Sequence, residues 1–179
     1  SVTLFKLDGN GTATRTMTLT APSPYNSCYF GCAVAMSGDM LAIGEWRRNT
    51  TQNYAGRVYL YKINPNGIAQ LTTTIDSPNL VSSGYFGFSV DLSGDRLVIG
   101  ARGERNANNI TIGAAYLYKI KPSGDVILYD HLTYPNGQSN DLLGNSVSVS
   151  GKNFVAGANQ FDAPGKSNTG KVIHSHSSN

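Results

Sequence analysis

The chain writes one pattern more than once. "YFGCAVAMSGDMLAIG" at 29–44 returns as "YFGFSVDLSGDRLVIG" at 85–100. Phe30-Gly31 recurs as Phe86-Gly87 after 56 residues and as Leu143-Gly144 after another 57. Ser37-Gly38-Asp39 recurs as Ser93-Gly94-Asp95, and in degenerate form as Ser150-Gly151-Lys152. "GRVYLYKINPNG" at 56–67 returns as "GAAYLYKIKPSG" at 113–124, with a third, worn copy starting at Gly170. The opening residues, "SVTLFKLDGNG", match the same segment.

Each unit reads as four short strands. In the best copy the first runs through Ser89-Val90-Asp91-Leu92, with apolar residues alternating. Ser93-Gly94-Asp95 supplies a tight turn, where glycine adopts positive φ without steric penalty. Leu97-Val98-Ile99 forms the second strand, ending at Gly100-Ala101. A loop of about a dozen residues leads to the third, 115–119, a turn at 121–124, and the fourth, Val126 to Leu132. A period of this length holding several strands means a propeller or a solenoid. A lone four-stranded sheet exposes two flat faces, and stacking on its neighbours buries them. The fold expected is therefore all-β: propeller blades of four antiparallel strands, about three in this chain. The units divide as a partial blade over 1–27, repeats over 28–83 and 84–140, and a partial repeat over 141–179. Gly44, Gly100 and Gly157 close the second strands, where backbones of neighbouring blades must approach. Phe30, Phe86 and Leu143 are placed to fill the space between blades.

Composition agrees. Charged residues make up only 14% of 179 residues, and no long stretch carries helical apolar spacing. A net charge of +3 without a Lys/Arg run does not describe a nucleic-acid-binding face. No apolar run is long enough for a membrane span. No secretory signal is visible, but the chain begins mid-pattern at Ser1, which leaves room for a removed leader. Cys28 and Cys32 would lie about 13 Å apart in an extended chain. A disulfide needs roughly 4.4–6.8 Å, so two small buried or half-buried thiols are expected.

Phe-Gly, a hairpin, "LVIGA", a variable loop and Gly-x-x-Tyr-Leu-Tyr together resemble the FG-GAP repeat. That repeat builds the β-propeller head of integrin α subunits and occurs in many secreted proteins. The resemblance implies an extracellular, secreted or cell-surface module without catalytic function. Many repeats of the family carry an Asp-x-Asp-x-Asp-Gly calcium loop between the first two strands. Here that loop is only Ser-Gly-Asp, and one carboxylate cannot supply the six to eight or so oxygens that calcium takes. No calcium, other metal or cofactor is expected. Asp39 and Asp95 are expected to cap their turns by accepting from nearby amides.

The strand count does not close a ring. Two strands at the start, eight in two full units and three at the end make thirteen, or three blades and one strand. Propellers typically have at least four blades. Either the chain belongs to a longer polypeptide, or copies complete one another through an unpaired edge, as a ring or a filament.

The loops at 45–55, 101–112 and 158–169 carry the variety, and variable loops on a rigid scaffold commonly bind ligands. Trp46, Arg47, Arg48, Arg102 and Arg105, beside Glu45 and Glu104, form a candidate rim for sugars or acidic polymers. The competing reading is Arg–Glu pairs on a solvated surface with Trp46 packed between loops. Sequons at Asn10, Asn49 and Asn109 fall in turns or loops, although chance supplies as many. His174 and His176 share a strand face without a third ligand, and His131 is expected to be structural. No nucleophile–base pair, paired carboxylates or phosphate loop is present in the sequence. The functional expectation is a non-enzymatic structural or adhesion module that self-associates. The alternatives are a carbohydrate-binding propeller and the non-catalytic part of a larger secreted enzyme.

Overall fold

The computed structural model describes residues 1–134 and 137–176. Thirteen strands fall in four antiparallel sheets. The first sheet pairs β1 (Val2–Leu7) with β2 (Ala13–Leu19). The second runs in order β3 (Val34–Ser37), β4 (Met40–Glu45), β5 (Arg57–Ile63), β6 (Ala69–Asp76). The third has β7 (Phe86–Ser93), β8 (Arg96–Ala101), β9 (Ala114–Ile120) and β10 (Val126–Thr133). The last has β11 (Leu143–Ser150), β12 (Asn153–Ala158) and β13 (Lys171–His176). These are propeller blades, two of them complete, and their strands are those expected from the repeat.

The repeat extends to irregularities. The third-to-fourth-strand hairpins slip register at one equivalent place: between Leu4 and Phe5, between Leu60 and Tyr61, and opposite Leu117 and Tyr118. In all three turns a glycine amide donates back to the first turn residue, Gly11 to Asp8, Gly67 to Asn64 and Gly124 to Lys121, and in the first two the Asp8 or Asn64 side chain also accepts two amides.

Three apolar cores lie between successive sheets. Phe30, Phe86 and Leu143 each sit in one of them, and Phe86 and Leu143 are fully buried. Burying one such side chain contributes about 2–3 kcal/mol. Gly44 and Gly100 bring the blades into backbone contact. A Cβ at Gly44 would lie 2.1 Å from the Gly87 carbonyl oxygen, and one at Gly100 would lie 2.1 Å from that of Gly144.

Non-glycine residues take positive φ at matching places before each Phe-Gly or Leu-Gly pair: Ser27 and Tyr29, Ser83 and Tyr85, Asn140 and Leu142. Such backbone costs about 1–3 kcal/mol per residue unless its surroundings hold it. Here the bends aim amides at the preceding blade's loop. Ser83, Tyr85 and Phe86 donate to the carbonyls of Asn53, Tyr54 and Ala55, and Asn140 and Leu143 donate to Thr111 and Ile112.

At the opposite rim the turns are stitched differently from the expectation. The Asp39 and Asp95 carboxylates do not cap their turns but pair with cations. Lys62 lies 3.5 Å from Asp39, and Arg96 lies 2.9 Å from Asp95. The serines supply the turn contacts, and they do so between blades. Gly94 N–H donates to Ser37 Oγ (3.0 Å), and Gly151 N–H donates to Ser93 Oγ (3.3 Å). A short serine side chain at the blade edge reaches the next turn, whereas the aspartate faces the lysine of its own third strand.

Candidate functional site

The loops after β4 and β8 emerge at the rim where blades are joined through their backbones. Trp46 leaves β4 and lands over the gap to the next blade. Its ring centroid lies 5.2 Å from Tyr29, 4.9 Å from Tyr85 and 5.8 Å from Phe88. The Arg47 guanidinium stacks at 4.6 Å from the Trp46 centroid and 5.0 Å from that of Tyr29. On the other side Arg102 lies 3.8 Å from the Phe88 centroid and donates to Asn145 Oδ1 at 3.3 Å. Position 46 of one blade and position 102 of the next are equivalent, so each reaches forward to its successor. The result is a ladder of aromatic rings and guanidinium planes across two blades, tied to the last blade through Asn145. Each stacked cation adds about 0.5–2 kcal/mol, more where water is excluded.

Of the rim residues singled out from the sequence, the structure joins Trp46, Arg47 and Arg102. Arg48 turns to Tyr25, stacking at 5.3 Å and donating to the Ser23 carbonyl at 2.6 Å. Arg105 is held in its own loop by Asn109 Oδ1 at 3.0 Å. Trp46 is half-buried among rings, so an exposed tryptophan flanked by arginines is not what the fold presents. Tyr29, Tyr54, Tyr85 and Phe88 were not singled out. Their signal lay in the repeat, because Tyr29 and Tyr85 both precede Phe-Gly.

The two glutamates are buried rather than solvated, and of the two only Glu45 keeps an arginine beside it, Arg48 Nε at 3.8 Å from Oε2. Glu45 is fully buried and Glu104 nearly so. Tyr59 Oη donates to Glu45 Oε2 at 2.6 Å, and Tyr116 Oη donates to Glu104 Oε2. Asn79 Nδ2 donates to Glu104 Oε1 at 3.0 Å. Burial raises the Glu104 carboxyl above the ordinary glutamate range, opposed by the bonds from Tyr116 and Asn79 and by His131. Burial also pushes the Tyr59 and Tyr116 phenols above the ordinary tyrosine value, with the carboxylates adding to it. Tyr59 and Tyr116 are repeat equivalents, but Glu45 and Glu104 are not: they come from different positions of their loops. In the last blade the tyrosine position is Ile173 and the two carboxylate positions are Ala158 and Phe161. The hydroxyl and its acceptor are lost together, as a buried polar pair requires.

Cys28 and Cys32 are free thiols, Cys28 buried and Cys32 exposed. The Cys32 sulfur nevertheless reaches the Gly87 carbonyl at 3.5 Å. Asn10, Asn49 and Asn109 are all exposed, Asn49 and Asn109 on the loop rim and Asn10 in the turn between β1 and β2. His131 stacks on Tyr116 with centroids 6.0 Å apart. His174 Nε2 lies 3.3 Å from Asn153 Oδ1, and the side chain of His176 falls outside the described residues. Among the described residues no three His, Cys, Asp or Glu side chains are placed to hold a metal ion. Among the described residues no helix is long and apolar enough to cross a membrane.

The FG-GAP repeat model matches residues 14–61 and 76–118, just over half of the chain. No curated protein matches it. FG-GAP repeats are typical of extracellular and surface proteins, where they serve as structural modules. Blades stacked through Phe-Gly pairs and strand-closing glycines, with the family model matching β2 to β5 and β7 to β9, place this chain in the FG-GAP repeat family.

Proposed function

We propose that the protein is a non-catalytic extracellular structural or adhesion module whose copies complete one another's blades, as a ring or a filament. One observation carries the reading. The first sheet holds only third and fourth strands, and the surface beside it exposes Phe5, Leu7, Val34 and Met36. Their equivalents one repeat later, Tyr61, Ile63, Val90 and Leu92, are buried or half-buried between blades. A cluster of exposed apolar side chains at an incomplete sheet supports association. Light scattering on the purified chain over a concentration series tests it. The mass is expected at multiples of 19.1 kDa. A folded monomer at the highest concentration would overturn the proposal.

The ladder at Trp46 favours a second reading, a carbohydrate-binding rim. Arg47 and Arg102 hold their charges over ring faces on a half-exposed surface, which suits acidic sugars. Binding on a glycan array is expected to fall at least tenfold in Arg47→Ala and in Arg102→Ala. Binding that survives both removes this reading and leaves the scaffold role untouched.

A further inference from the structure

The geometry points to one element and one register for that association. We propose that the β1–β2 hairpin of a second copy seats on β12 as the third and fourth strands of the last blade, in place of β13. The inference rests on the self-association reading and deepens it.

β1–β2 is a complete outer half-blade. It carries the same register slip as the full blades, and Val2 and Leu4 stand where the second sheet has Val58 and Leu60. β13 is a poor third strand by the same comparison. Val58 and Leu60 are 0% exposed because the third sheet packs on them, and their equivalents in β13 are Val172 and His174. A histidine thus replaces a core leucine on the face that should meet a following blade.

The far end of the last blade also holds a hollow of about 400 Å³, walled by Ser146 of β11 and Gly157 of β12 on one side and by Gly170 and Val172, at the start of the strand that gives way, on the other. In the preceding blade the equivalents of these glycines are filled. Gly100 faces the Gly144 carbonyl, and Gly113 faces Leu143, the second a bridge between blades. The wall formed by Ser146 and Gly157, which stays when β13 leaves, is therefore the seat of a Phe-Gly pair. The second copy brings one attached to the hairpin, because its Gly31 already lies against Ser1 and Val2. Seating the hairpin on β12 sets Phe30-Gly31 over Gly157 in one movement. It also places Phe5 where Tyr61 and Tyr118 are buried in the full blades.

The test uses register. β12 pairs Val155 with His174, and the incoming Leu4 takes the place of His174. Two chains are prepared in a Cys28→Ala, Cys32→Ala background, one with Val155→Cys and one with Leu4→Cys. They are mixed and bridged with a short bismaleimide. A crosslinked heterodimer joined at 155 and 4, read by mass spectrometry, is expected. A second variant does not depend on the crosslink: His174→Leu improves β13 as a competitor and is expected to weaken association at least fivefold. If light scattering shows multimers but His174→Cys, not Val155→Cys, captures Leu4→Cys, the copy has added to the edge of β13 and this inference falls while association stands. Unchanged or tighter association in His174→Leu overturns it equally. Monomers throughout overturn both.

Discussion

Gly100→Ala is expected to destabilise the protein by about 3 kcal/mol, the upper end of the overpacking range. The added Cβ would lie 2.1 Å from the Gly144 carbonyl oxygen and 2.2 Å from Ser89 Oγ. The serine can rotate away. The carbonyl belongs to the backbone of β11, so relief requires the two blades to separate, opening a core that buries Val98, Leu117, Leu143 and Phe154. In a chain of this length the loss corresponds to a fall in melting temperature of roughly 6–12 °C. Two controls separate contact from conformation. Gly9→Ala meets open space and is expected to be neutral. Gly94→Ala also meets open space but sits at φ +58°, and is expected to lose about 1–2 kcal/mol through backbone strain alone. Urea titrations of the three variants decide the matter. A Gly100→Ala loss no larger than that of Gly94→Ala would show that the close approach of blades is not what this glycine serves.

What the sequence disclosed was whatever recurs at the repeat period. The alternation Val90, Leu92 and the run Leu97-Val98-Ile99 place β7 and β8, and "YLYKI" places β5 and β9, because each is set by a local pattern seen twice. Contacts that cross between blades were hidden. Ser37 and Gly94 are 57 residues apart and meet only when two sheets stack. The carboxylate of Asp95 was assigned the turn that Ser37 of the previous blade serves, since local turn chemistry favours aspartate. Trp46 shows the same blindness: its partners Tyr85 and Phe88 come from the next unit, so a loop tryptophan read alone looks exposed. For the buried glutamates a signal did exist. Setting the three units side by side pairs tyrosine with a loop glutamate twice, and isoleucine with phenylalanine and alanine once.

That pairing leads to the second large effect. Tyr116→Phe removes the hydroxyl that donates to Glu104 Oε2 and leaves a buried carboxylate one bond short. The loss at neutral pH is expected to be about 1–3 kcal/mol. Its pH dependence identifies the cause. Burial raises the Glu104 carboxyl above its ordinary range in the folded protein. Between the ordinary and the raised value the folded state holds a proton that the unfolded chain has released, so this group's contribution is fully present below that window and lost as pH rises through it. Glu104→Gln is expected to abolish that part of the slope, and the difference from wild type isolates Glu104 from His131 nearby. In Tyr116→Phe the bond that opposes the rise is gone. The carboxyl moves further up, the window widens, and the penalty of the variant grows with pH and shrinks on acidification. Stability measured by urea titration at intervals between about pH 4 and pH 8 reads all three curves. A Tyr116→Phe penalty that stays constant across that range would mean that the hydroxyl contributes through packing and that Glu104 does not feel its removal.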